Sequence, residues 1–155
     1  MKKLLGSLTL AALSVALVLT LSISRRVVSV SADDERSGHL YITKDCATNK
    51  GNAGDHCTIV TSNLSQIKPG SKIIYDQAIN FSTGFLDSNI LVDVGTLDWA
   101  AGRCTLPLSP GAPGLCTLSD GMGSLAGFTA RVKVTYLGGT LYAWDGTYSF
   151  KSRQD

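Results

Sequence analysis

Residues 128–136, FTARVKVTY, alternate apolar and polar side chains without a break, and Leu137 leads into Gly138-Gly139. A helix would repeat every 3.6 residues; a strand repeats every two. The segment therefore reads as a strand, with Phe128, Ala130, Val132, Val134 and Tyr136 on one face and Thr129, Arg131, Lys133 and Thr135 on the other. A Gly-Gly pair is a strong signal for a two-residue hairpin. TLYAWDGTYSF then supplies the returning strand, with Tyr142, Trp144, Tyr148 and Phe150 on one face.

The same period runs back through the chain. HLYITK, CTIVTSNL, SKIIYDQAINF, SNILVDVGTL, RCTLPL and LCTLS read as six earlier strands, separated by Gly-, Pro- and Asn-rich turns. Pro107 interrupts the fifth and marks a strand end or an edge. No segment after residue 32 carries a convincing amphipathic helix, and at most a turn or two near Asp98 to Ala101 could be helical. About eight short, sequential strands point to a sandwich or barrel. Simple hairpins close such a chain into an eight-stranded antiparallel barrel and leave no exposed edge. A barrel of that size is filled by side chains or holds one small ligand.

The N-terminus has a different character. Met1-Lys2-Lys3 precedes LLGSLTLAALSVALVLTLSI, which carries no charge, and Val30 and Ala32 occupy the small-residue positions of a signal peptidase site. Residues 1–32 read as a secretory signal; the rival reading is an uncleaved membrane anchor. Residues 33–38 form a charged tail, and 39–155 a single barrel domain. Cleavage reverses the charge. Four of the 14 basic residues (Lys2, Lys3, Arg25, Arg26) leave with the signal and all 12 acidic ones stay, so +2 becomes −2. The remaining basic residues are scattered, and nucleic-acid binding is not expected. Export to an oxidising compartment makes the four cysteines disulfide candidates. Four cysteines allow three connectivities. Turn-rich composition between Cys46 and Cys57, and between Cys104 and Cys116, favours those two local pairs. Each short loop closed in this way contributes roughly 2–3 kcal/mol.

Other motifs yield to closer reading. Gly121, Gly123 and Ala126 fit the loose G-x-G-x-x-G/A dinucleotide pattern, but a strand follows where a helix N-terminus is required. The glycines fit a corner between strands instead. Gly123-Ser124 lacks the spacing and the strand-to-helix turn of a nucleophile elbow. His56 beside Cys57, with no C-x-x-C, does not make a zinc site. Neither a metal nor a cofactor is expected. Asn63-Leu-Ser65 and Asn80-Phe-Ser82 match the glycosylation acceptor pattern, which matters only in a eukaryotic secretory pathway.

The runs NILVDVGTLDWAAGRCTL, CTLSDGMGSLAGFTARVKV and WDGTYSF together resemble the allene oxide cyclase-like barrels, the superfamily that includes the dirigent proteins. The resemblance rests on Val94-Gly95, on Gly102 with Cys104-Thr105, on the corner at Gly121, Gly123 and Gly127, and on the final aromatic strand; it spans roughly residues 68–150. It implies an eight-stranded antiparallel barrel with a largely apolar cavity, in which relatives cyclise a fatty-acid epoxide or steer phenoxy-radical coupling, often as trimers. The cyclases use an acidic residue and a held water. The single glutamate here, Glu35, lies in the charged tail, so no family catalytic residue transfers.

Asp76, Asp93 and Asp145 sit inside expected strands, where aspartate is disfavoured unless it faces water or does chemistry. Asp76 and Asp93 are the candidates for general acid or base work, because each lies opposite an apolar set. Tyr75, Arg131, Trp144 and Tyr148 are the candidate ligand contacts: aromatics to stack on a flat molecule, and a cation for a carboxylate or phenol. The expected function is binding of a small hydrophobic molecule in a secreted barrel, with isomerase, cyclase or dirigent-like action open. The competing reading is a non-enzymatic interaction module with a filled barrel.

Overall fold

The computed structural model describes residues 37–109 and 111–151; the expected signal segment lies outside them. The described chain holds eight strands: β1 Ser37–Asp45, β2 His56–Ser62, β3 Lys72–Tyr75, β4 Phe85–Gly95, β5 Asp98–Pro107, β6 Gly114–Met122, β7 Phe128–Gly138 and β8 Leu141–Phe150. Each pairs antiparallel with the next, and β8 returns to β1 to close the barrel. The closing seam runs from Ser37↔Ser149 to Asp45↔Leu141. Among the described residues the single helical piece is a 3-10 turn, Gly123–Leu125.

Alternation decides what fills the interior. Leu40 and Ile42 of β1, Ile59 of β2, Ile73 of β3, Ile90 and Val92 of β4, Leu118 of β6, Val132 of β7 and Trp144 of β8 are all buried and belong to one cluster. The middle of the barrel is therefore packed with side chains. One end is also closed from within the chain. Leu64 and Ile67 in the β2–β3 connection and Leu125 in the 3-10 turn are buried in the same cluster. Phe128 packs nearby against Phe150, their rings tilted and their centroids 5.1 Å apart.

The glycine-rich stretch after β6 is a corner of this closed end. Gly123 has φ +64°, and a β-carbon there would lie 1.8 Å from Asp98 Oδ1. That oxygen accepts the Ser124 N–H at 2.9 Å, so the corner depends on a residue with no side chain. Gly146 has a different reason. A β-carbon would lie 2.0 Å from the Arg131 carbonyl oxygen, because β7 and β8 approach closely where the barrel coils.

The disulfides pair Cys46 with Cys57 and Cys104 with Cys116, as loop composition favours. Cys104 and Cys116 face each other across the β5–β6 ladder.

Three local expectations differ from the structure. β1 begins at Ser37, inside the expected tail, because the β8 seam extends that far. Asp98 to Ala101 are strand, not helix; the β4–β5 hairpin turns through Thr96 and Leu97, and Leu97 takes φ 67°. The third strand stops at Tyr75 and does not run on to Phe81. Beyond it, the Gln77 side chain accepts the Asn89 N–H at 2.5 Å and Ser88 Oγ accepts the Gln77 N–H at 3.1 Å. Side chains replace the ladder there, and Phe81 ends up 70% exposed.

Candidate functional site

The other end of the barrel is open. Here β1, β3, β5 and β7 end and β2, β4, β6 and β8 begin. A cleft of about 220 Å³ enters among Ile79, Leu86, Leu106, Leu108, Tyr142 and the Cys46–Cys57 bridge. A second, of about 440 Å³, adjoins it between the β5–β6 connection and the end of β7. Leu106, Leu108, Gly139 and Tyr142 wall both clefts. Exposed Phe81, Tyr136 and Leu141 add apolar surface at this end of the molecule.

At the floor of the smaller cleft lies Lys44. It follows Leu40 and Ile42 on the inward face of β1, and its side chain is buried. A bulge seats it: opposite Thr43 and Lys44, β2 carries Thr61 and Ile59, so Val60 is the extra residue and turns outward. The amine donates to the Tyr75 hydroxyl at 2.5 Å. It stands 4.7 Å from the Trp144 ring centre and 5.3 Å from that of Tyr75. Among the described residues no carboxylate reaches it; Asp145 contacts His39 and Asp87 pairs with Arg103, both on the outside.

Burial without a counter-ion penalises the charged form, and the Lys44 pKa falls to about 7. The same desolvation pushes the Tyr75 hydroxyl upward, so it stays a neutral donor. Tyr142, at the rim, is shifted upward as well, by burial first and then by neighbouring Tyr136. The cleft thus combines apolar walls, a poised amine and the side chains of Tyr75 and Tyr142. Such a set can bind an apolar molecule and engage one polar group upon it.

The sequence candidates divide between inside and outside. Tyr75 and Trp144 are buried in the interior beside Lys44. Tyr148 also turns inward but lies toward the closed end, 6.2 Å from Phe128. Asp76 is exposed just past β3. Asp93 alternates with inward Val92 and so lies on the outer face, where its carboxylate accepts the Gly95 N–H at 3.1 Å. Neither aspartate reaches the interior: strand parity turns one outward and the early end of β3 releases the other. Arg131 is exposed on the outer face of β7, between inward Ala130 and Val132. Asn63 and Asn80 serve local structure; Asn63 bonds to Tyr41 and His39, and Asn80 to Ser82 and Thr83. Among the described residues no group of three or more His, Cys, Asp or Glu is placed to hold a metal.

Lys44 is the residue that sequence reasoning passed over. Its signal was present in HLYITK, where alternation puts a lone lysine on the face of Leu40 and Ile42. No protein-family model, curated protein or solved structure matches the chain.

Proposed function

We propose that this is a secreted barrel of the allene oxide cyclase-like kind that holds a small hydrophobic molecule in its open mouth. One observation carries the binding reading: an apolar cleft ends on a buried amine–phenol pair, Lys44 and Tyr75. Apolar walls supply affinity at about 25 cal/mol per Å² of surface removed from water. The polar pair fixes orientation. The closed, sequential eight-stranded barrel is the fold that the family resemblance implies, and two disulfides suit an extracytoplasmic setting. Isomerase or cyclase action belongs to the same reading, with Lys44 as the group able to move a proton near neutral pH.

The experiment is a titration with an apolar fluorophore, followed by competition with fatty acids and phenols. Saturable binding at one site is expected. Leu106→Trp, which narrows both clefts, should weaken it at least about tenfold, roughly 1.4 kcal/mol. The second reading, a filled interaction module, draws on the packed mid-barrel. It gains if no apolar probe saturates.

A further inference from the structure

We propose that Lys44 Nζ captures a carbonyl group, condensing with an aldehyde or ketone on the molecule held in the mouth to form an imine. This rests on the cleft being a ligand site, and it names the class of ligand. The amine is turned into the smaller cleft by β1, and no carboxylate among the described residues locks it as a cation. Tyr75 comes from β3 and Tyr142 from β8, and Asp45 and His56 sit on alternate positions that turn outward. With its pKa lowered to about 7 by burial, a substantial share of the amine carries a free lone pair at neutral pH. An exposed lysine keeps roughly one part in a thousand or less.

The step balances within the site. The Nζ lone pair adds to the carbonyl carbon, a C–N bond forms and the π pair moves to oxygen. A proton passes from nitrogen to that oxygen, giving the carbinolamine. The nitrogen pair then expels the oxygen as water. The Tyr75 hydroxyl, 2.5 Å from Nζ, supplies the proton that the leaving oxygen needs and recovers one from the iminium nitrogen. Between those transfers the nitrogen is positive, and the Trp144 and Tyr75 ring faces that already flank it stabilise that charge. Amine and carbonyl give imine and water, with no oxidant or reductant.

The test treats the purified protein at pH 7 with octanal and sodium cyanoborohydride, which fixes an imine as a stable amine, and maps adducts by mass spectrometry. Octanol, the same chain without the carbonyl, is assayed in parallel by displacement of an apolar dye. Lys44 should be labelled at least about tenfold faster than exposed Lys50, Lys68, Lys72, Lys133 and Lys151. Lys44→Arg, whose guanidinium cannot form the imine, should lose the adduct at this position while the exposed lysines are labelled as before. Tyr75→Phe should slow labelling of Lys44 and change its pH profile, and octanol displacement of the dye, read in the same variant, separates slowed capture from weakened binding. Adducts spread evenly over exposed lysines, with octanol still displacing the dye, would overturn imine capture and leave the cleft reading standing. If neither octanal nor octanol occupies the cleft, both fall.

Discussion

At the scale of single residues, Lys44 is the basic side chain buried in the interior of the barrel. Its pKa is near 7 when folded and near the ordinary lysine value when unfolded. Between those values the unfolded chain binds the extra proton, so stability rises with pH. Below about 7 both states are protonated and the slope vanishes. Urea midpoints at pH 7, 8 and 9 should therefore climb by an amount on the order of 1 kcal/mol per pH unit. Lys44→Met should flatten that climb. An unchanged slope in the variant would show that the amine is not buried as described. Asp76→Asn and Asp93→Asn make the complementary case, since both carboxylates lie outside the interior. Each should leave dye affinity within about twofold, a difference below roughly 0.5 kcal/mol. Lys44 was legible in the alternation of β1, yet a lysine on an apolar face is ordinarily discounted as a strand-end residue that reaches water. Only closure of the barrel decides otherwise.

Elements show how far alternation reaches. β7 and β8 were legible because the two-residue period holds from Phe128 to Val134, Tyr142, Trp144, Tyr148 and Phe150 fall on one face of the returning strand, and the Gly138-Gly139 turn joins them. β3 was not, because KIIYDQAINF keeps the same period while Gln77 and Ser88 divert its backbone bonds. Propensity sees the pattern and not the competing side chains. Leu97 was hidden for a related reason: the β4–β5 turn requires a positive φ that leucine rarely adopts. Leu97 is 73% exposed, so little burial is at stake there. Leu97→Asn should raise the urea midpoint by about 0.5–1 kcal/mol in stability, as strain in the turn is relieved. The β5–β6 hairpin predicts a loss instead. Replacing Cys104 and Cys116 together by alanine frees a closed loop of 12 residues and should cost about 2–3 kcal/mol, read from the same unfolding curves.

For the whole molecule, two ends of one barrel have opposite characters. Leu64, Ile67 and Leu125 close one end; the other leaves apolar walls open above Lys44 and Tyr75. The closed eight-stranded ring was legible from strand number and hairpin spacing. Which end stays open was not, because it depends on apolar residues in connections whose paths no period describes. The most direct measurement is an NMR titration of the methyl- and lysine-labelled protein with an apolar ligand. Saturable shifts confined to Ile79, Leu86, Leu106, Leu108 and the Lys44 side chain are expected. Shifts centred on Leu64, Ile67 and Leu125, or none that saturate, would contradict a ligand-holding mouth.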